Sequence, residues 1–91
     1  MDISFDPIKN IRNIAVRGIP FGAVQNMDFR TAVTTPDLRR NYGEERWQVL
    51  GMINGRLHMA VYTWRGKTMH VISLRKANKR EVKYYEQASH T

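Results

Sequence analysis

Four cations lie close together near the end of the chain, and their placement suggests a phosphate site. Arg75, Lys76, Lys79 and Arg80 fall within six residues, at the exit of a predicted strand and in the first turn of a predicted helix. Positive charge is unfavourable at a helix N-terminus, because the helix dipole is already positive there. The arrangement makes sense if these side chains and the free backbone N–H groups bind a phosphate. The alternative is basic surface without a ligand.

A second candidate site is a sheet face that combines aromatic and basic residues. Strand alternation places Arg56, His58, Tyr62 and Trp64 on one face, beside Trp47, Lys67, Ser73 and Arg75. Single-stranded nucleic acid is bound by cations on its phosphates and by aromatic rings against its bases. An ordinary half-exposed sheet would also carry aromatic residues, so this pattern alone leaves both interpretations open.

His58 is the one histidine expected beside cations, which would keep it neutral and suited to a general base. The alternative is that His58 is an ordinary strand residue without a catalytic role. The three histidines lack metal-ligand spacing, and no nucleophilic triad, carboxylate pair or glycine-rich phosphate loop is present. We therefore expect no metal and no cofactor.

The charge of the chain is strongly asymmetric. Residues 1–45 hold six Lys/Arg and six Asp/Glu, whereas residues 46–91 hold nine and two, so the net charge of +7 comes from the second half. Such asymmetry favours a polyanionic partner.

The absence of cysteine excludes a disulfide framework and suits a reducing compartment. No signal sequence or membrane span is recognised, so we expect a cytoplasmic protein without membrane contact.

The pattern of elements predicts an α+β fold in one domain, residues 1–91, with a disordered tail from about residue 88. Asp6, Pro7 and Gly18 delimit a helix over 6–17, with Ile8, Ile11, Ile14 and Ala15 as its buried stripe. A short helix over 20–27 and a weak strand over 29–34 follow. Strands over 46–53, 56–64 and 67–75 form an antiparallel meander, and Asn78 caps a last helix with Glu81.

Two predicted hairpin loops, Asn54-Gly55 and Arg65-Gly66, set the register of this meander. They place Arg56 opposite Arg75, where the two like charges repel each other. This unfavourable pairing indicates a site that binds an anion. The second face is apolar and is expected to pack under the helices. It carries Leu50, Met52, Leu57, Met59, Val61, Ile72 and Leu74.

Several stretches of the chain resemble the BrnT toxin family. The most specific is the run Ile-Ser-x-Arg-x-Ala-x-x-x-Glu from Ile72 to Glu81, together with the upstream Glu45-Arg46-Trp47. Further matching pieces are residues 5–9, Asn13, residues 18–21, 44–51, 54–57, 61–63, 65–66 and 71–81, and the resemblance extends over about residues 4–86.

The resemblance implies a bacterial type II toxin: a RelE-like RNase that cuts RNA and blocks translation without a metal. It implies a cognate antitoxin with a ribbon-helix-helix DNA-binding part, through which the complex reaches operator DNA. The fold implied is an antiparallel meander of three to four strands with two N-terminal helices and one C-terminal helix. One departure is Val16-Arg17-Gly18, where the family pattern has Lys-His-Gly.

We therefore predict a metal-independent endoribonuclease that acts by 2′-OH attack. The predicted catalytic residues are Arg75, Arg46, Lys9 and His58; the predicted RNA-binding residues are Lys79, Arg80, Lys76, Arg56, Trp64 and Tyr62. A non-catalytic RNA- or antitoxin-binding module of the same fold is the alternative, because Arg17 replaces the family histidine. A DNA-binding repressor subunit is a weaker alternative, because no known DNA-binding motif is present in the sequence.

Overall fold

A computed structural model describes residues 1–89 and shows a five-stranded sheet with helices on both of its faces. The elements in chain order are β1 (Ile3–Phe5), α1 (Pro7–Arg17), a 3-10 helix (Phe21–Asn26), β2 (Met27–Pro36), β3 (Trp47–Ile53), β4 (Arg56–Arg65), β5 (Thr68–Lys76) and α2 (Lys79–Ser89). The predicted tail begins inside α2, and its last residues, 90 and 91, lie outside the described part.

The sheet is mixed, with strand order β1-β5-β4-β3-β2. Short β1 pairs in parallel with Met69–Val71 of β5, and the other neighbours are antiparallel. The α+β class is therefore right, whereas a purely antiparallel sheet of three to four strands is wrong. Strand β1 was not predicted, because its three residues are too few to show an alternating pattern. Strand β2 is longer than the strand predicted over 29–34.

The first hairpin loop is the one predicted from the sequence. Asn54 and Gly55 have positive φ angles of 49° and 79°, and Ile53 lies opposite Arg56. The paired positive angles are what a tight two-residue loop requires. The second loop is displaced by one residue from the prediction. It consists of Gly66 and Lys67, because Arg65 still pairs with Thr68.

A β-bulge in β5 changes the faces of the last strand. Tyr62 pairs with Val71, but its neighbour Val61 pairs with Ser73, so Ile72 is the extra residue. Every later side chain of β5 points to the face opposite to the predicted one. Arg75 consequently lies opposite Met59 and Lys76 opposite His58, so the predicted pairing of Arg56 with Arg75 is wrong.

The two faces of the sheet are covered by different helices. The face toward the 3-10 helix holds the larger core, in which Phe21 and Val24 pack against Val49, Ala60 and Tyr62. The other face, which we call the α2 side, packs Leu50, Leu57 and Met59 under Val82 and Tyr85 of α2. The predicted apolar face thus belongs to the α2 side, except for Leu74, which the bulge moves into the larger core.

Helix α1 is attached to the rest of the protein by the polar side chains of Asn10 and Asn13, whereas its isoleucines are exposed. Asn13 is buried, and its Nδ2 donates to the carbonyl oxygens of Ile19 and Leu74, both at 2.9 Å. Asn10 Oδ1 accepts from the Phe21 backbone N–H at 2.8 Å. Since β1 covers only the first part of β5, the remaining strand edge offers carbonyl groups rather than apolar surface. The predicted buried stripe of α1 is therefore wrong: its isoleucines are exposed.

Candidate nucleic-acid interface

Three arginines, two from the connection between β2 and β3 and one from β5, converge on an open cavity of about 290 Å³ on the α2 side of the sheet. Arg39 comes from the connection between β2 and β3, Arg46 immediately precedes β3, and Arg75 lies near the end of β5. We call this cavity the arginine groove. It is lined by Arg39, Arg46, Gln48, Met59, Val61, Ile72, Ser73, Arg75 and Glu81.

The bulge in β5 is what brings Arg75 and Ser73 to this groove. Without the extra residue Ile72, both side chains would alternate onto the face of the larger core. The connection that carries Arg39 is fixed at its base, because the Asp37 backbone N–H donates to the Arg46 carbonyl at 2.8 Å. The groove is therefore built on strand ends and a closed loop.

Each arginine of the groove is held by a carboxylate. Arg75 Nη1 and Nη2 donate to Glu81 Oε1 and Oε2 at 2.7 and 2.8 Å. Arg39 Nε and Nη2 donate to the two oxygens of buried Asp37 at 2.7 and 2.8 Å. Arg46 Nε donates to Glu44 at 3.0 Å, and its guanidinium lies 4.1 Å from the centre of the Tyr42 ring. These partners restrict the three guanidinium groups before any ligand arrives.

The arginine partners keep two of these carboxylates charged. The hydrogen bonds from Arg39 hold the pKa of Asp37 well below its ordinary value, although burial opposes this. Those from Arg75 lower the pKa of Glu81 in the same way. Arg75 uses three of its five N–H groups, two on Glu81 and one on the Lys76 carbonyl oxygen. The remaining two are available to a phosphate, which a guanidinium binds well.

Lys9, a predicted catalytic residue, lies in a neighbouring cavity of about 230 Å³ between α1 and β5. Ile72 and Ser73 line both this cavity and the arginine groove. Arg17, which replaces the family histidine, also lines it and donates through Nη1 to Asn13 Oδ1 at 3.3 Å and to the Leu74 carbonyl at 3.4 Å. In this chain Arg17 therefore helps to attach α1 to β5.

His58, the other predicted proton-transfer residue, is buried in the sheet, only 6% exposed, and lies outside both cavities. Its Nδ1 donates to the Arg56 carbonyl oxygen at 2.8 Å. The prediction that His58 stands on an open face beside Arg56 and Arg75 is wrong, because that face is covered by the core and Arg75 points away from it.

The predicted stacking residues lie away from the groove. Tyr62 is 7% exposed, belongs to the larger core, and has a pKa raised by burial. Trp64 is half exposed and packs edge-on against Tyr62, with ring centres 5.6 Å apart. Tyr62 therefore has no free ring face for a base.

None of the remaining predicted RNA-binding cations lines the groove. Arg56, Lys76 and Lys79 are exposed, and Arg80 lines an adjacent cavity of about 260 Å³ with Glu81 and Tyr84. Two of the four predicted catalytic residues, Arg75 and Arg46, are thus brought together, whereas Lys9 and His58 are not.

Arg39 and Gln48 were not selected from the sequence, Ser73 was placed on the aromatic and basic face without a role, and Glu81 was recognised only as a helix cap. The capping box is confirmed: Glu81 N–H donates to Asn78 Oδ1 at 2.8 Å, and Asn78 N–H donates to Glu81 Oε1 at 3.0 Å. The spacing Asp37-x-Arg39, repeated as Glu44-x-Arg46, was the available signal for the paired arginines of the loop.

Within residues 1–89, no group of three or more His, Asp or Glu side chains is arranged to hold a metal ion. In the same range, no helix is both long enough and apolar enough to cross a membrane.

A small basic α+β protein with three arginines around an open groove on its sheet is suited to bind the phosphodiester backbone of a nucleic acid. Comparison of the sequence with family models agrees with this. Residues 5–81 match the family described as the ribonuclease toxin BrnT of type II toxin-antitoxin systems, and the chain belongs to this family. No curated protein gave a match. Membership implies a toxin with ribonuclease activity, an RNA substrate and an antitoxin partner.

Proposed function

We propose that the chain is an endoribonuclease whose active site is the arginine groove, and that RNA cleavage there arrests translation until the antitoxin binds. The observation that carries this proposal is the convergence of Arg39, Arg46 and Arg75 on one open cavity. A phosphodiester in the groove would meet guanidinium groups that are already oriented, which is the condition for stabilising charge that develops in a transition state.

The reaction we propose is attack of a ribose 2′-OH on the adjacent phosphorus. The bond from phosphorus to the 5′ oxygen breaks, which leaves a 2′,3′-cyclic phosphate and a 5′-OH. The 2′-OH proton passes to water, and the leaving 5′ oxygen takes a proton from water. Arg75 and Arg46 bind the non-bridging oxygens, whose negative charge grows in the transition state. Lys9, one cavity away across Ile72 and Ser73, is the remaining candidate for proton transfer.

The experiment is expression of the chain with and without the antitoxin encoded beside its gene, paired with cleavage assays on the purified chain. Expression alone should stop growth and protein synthesis, and co-expression should restore both. The purified chain should produce RNA fragments with 5′-OH and cyclic phosphate ends. Normal growth with abundant folded protein, together with intact RNA in vitro, would contradict the proposal.

A non-catalytic RNA-binding module is the second candidate. Its support is that the described groove contains no histidine or lysine, and that each of its arginines already has a carboxylate partner. The cleavage assay separates the two candidates, because a binding module would retain RNA without cutting it.

The antitoxin is proposed to carry a ribbon-helix-helix part, so that operator DNA is bound only by the complex. A gel-shift assay should then show a shift with the complex and none with the chain alone at physiological salt. A specific shift by the chain alone would favour the repressor-subunit alternative.

A further inference from the structure

The outward face of α1 is apolar and has no partner in the described structure. Ile8, Ile11 and Ala15 follow one another at helical spacing, opposite the face through which Asn10, Asn13 and Arg17 contact the protein. Ile8 is 69% exposed and Ile11 is 65% exposed. We call Ile8, Ile11 and Ala15 the α1 stripe. An aligned row of exposed apolar side chains is typical of an interaction site.

The flank of the α1 stripe toward β5 is basic. Lys9 and Arg12 line the cavity that ends at Ile72 and Ser73, and these two residues also line the arginine groove. The stripe, the basic flank and the groove therefore form one continuous path across the bulge in β5. Within α1 there is no acidic residue to compensate the charge of this flank.

We infer that the α1 stripe is the docking surface of the antitoxin, and that the docked segment is an amphipathic helix with an acidic flank. This inference rests on the proposed function and names the partner's contact site. Apolar side chains of the segment would cover Ile8, Ile11 and Ala15, as in helix recognition by an apolar surface. Its carboxylates would face Lys9 and Arg12, and the chain that follows would pass over Ser73 and close the arginine groove to RNA.

A second copy of this chain fits the α1 stripe poorly. Packing two α1 helices against each other through their stripes would bring the basic flanks of both copies, Lys9 and Arg12, to one interface, with no acid on either helix to pair with them. Like charges across an interface disfavour association. Charge complementarity therefore selects an acidic partner rather than self-association.

The test is the dissociation constant between the purified chain and the antitoxin encoded beside its gene, measured by calorimetry. Ile11→Glu and Ile8→Glu place a carboxylate in the apolar contact and should each raise Kd at least roughly 30-fold, as expected for a central interface anchor. Arg12→Glu should also weaken binding, and more strongly at low salt than at high salt. Phe29→Glu, at an exposed apolar residue of β2, is the matched control and should change Kd less than about threefold.

Cleavage of RNA by free Ile11→Glu should equal that of the unchanged chain, but the antitoxin should no longer inhibit it. Unchanged affinity of both isoleucine variants would overturn the docking surface, as would a wild-type chain that does not bind this antitoxin. A dimer of the chain alone that Ile11→Glu dissociates would identify a second copy as the occupant and also overturn it. A wild-type chain that binds the antitoxin through the stripe but never cuts RNA would support the docking surface and refute the proposed function.

Discussion

Arg75 and Glu81 are joined by two parallel hydrogen bonds, Nη1 to Oε1 at 2.7 Å and Nη2 to Oε2 at 2.8 Å, which link the end of β5 to the first turn of α2. The same Glu81 carboxylate completes the capping box with Asn78. One side chain therefore caps the helix and orients a guanidinium of the arginine groove. Stability and RNA cleavage are expected to depend on this pair in different ways.

Replacing Arg75 should reduce activity strongly and stability moderately. Arg75→Ala should lower the cleavage rate by roughly 10²–10³, the usual effect of removing one preorganised donor from a transition-state site. It should also lower the free energy of unfolding by about 1–3 kcal/mol, because partly buried Glu81 loses its partner. Arg75→Lys keeps the charge without the planar fork, so it should restore activity only in part.

The measurement for Arg75 is single-turnover cleavage alongside urea unfolding. Arg56→Ala is the matched control, since Arg56 is an exposed cation outside the groove. Equal loss of activity in the two variants would mean that only net charge matters. Full cleavage by Arg75→Ala would remove Arg75 from the active site.

Glu81 is expected to act through Arg75 as a positioning residue. Glu81→Gln can still accept from Asn78 N–H and contact Arg75, so it should reduce cleavage less than about tenfold, whereas Glu81→Ala should reduce it as much as Arg75→Ala does. Because the pKa of Glu81 is lowered by Arg75, its carboxylate is charged at neutral pH. The pH dependence of cleavage should therefore keep its shape in Glu81→Gln. If the rise of the cleavage rate with pH disappeared in this variant, Glu81 would instead be identified as a general base.

The sequence predicted which segments form helices and strands better than it predicted which face of the sheet each side chain occupies. Asn54-Gly55, the capping box of Asn78 and Glu81, and three long strands follow from local turn and cap chemistry. The bulge at Ile72 carries no local signal, since its side chain suits either face, and it alone moved Arg75 to the α2 side. The stripe predicted to be buried, Ile8, Ile11, Ile14 and Ala15, is exposed, because periodicity shows which side chains share a face but not what covers that face.

The site was predicted in part for a related reason. Arg46 and Arg75 were selected from charge and from the family pattern, but Arg39 lies in an irregular connection whose path depends on the buried ion pair with Asp37. His58 and Tyr62 were selected as open-face residues. A short helix over 20–27 was predicted, but its pattern did not show that it covers this face of the sheet.

Acid should destabilise the protein through Asp37. Folding lowers the pKa of this carboxyl from its ordinary 3.8, mainly through Arg39, so its stabilising contribution is present above that value and is lost as the pH falls below it. Asp37→Asn should lower stability by about 2 kcal/mol at pH 7, because charged hydrogen bonds to Arg39 are lost. It should also show a flatter decline in stability at acidic pH.

Urea unfolding at pH 7, 5 and 3 measures this effect, with exposed Asp2→Asn as the control. Parallel stability curves for Asp37→Asn and the unchanged protein would show that Asp37 does not account for the acid sensitivity.

Removal of divalent metal should leave RNA cleavage unchanged. The proposed chemistry uses guanidinium groups where other nucleases use metal ions to stabilise the phosphoryl oxygens. Cleavage by the purified chain should proceed at the same rate in excess EDTA as in magnesium. Loss of activity in EDTA that added metal restores would refute the metal-independent mechanism.

RNA is proposed to bind on the α2 side of the sheet, in the arginine groove. The most direct test of this site is a nuclear magnetic resonance titration of the ¹⁵N-labelled chain with a short oligonucleotide whose 2′-OH groups are replaced by hydrogen, so that it cannot be cut by the proposed reaction. The backbone amides of Gln48, Ser73 and Arg75 should shift most, and the shifts should diminish as salt is raised. Shifts centred instead on the Trp64 indole and Arg56, with the groove amides unchanged, would place the RNA on the opposite face of the sheet and refute the arginine groove as its site.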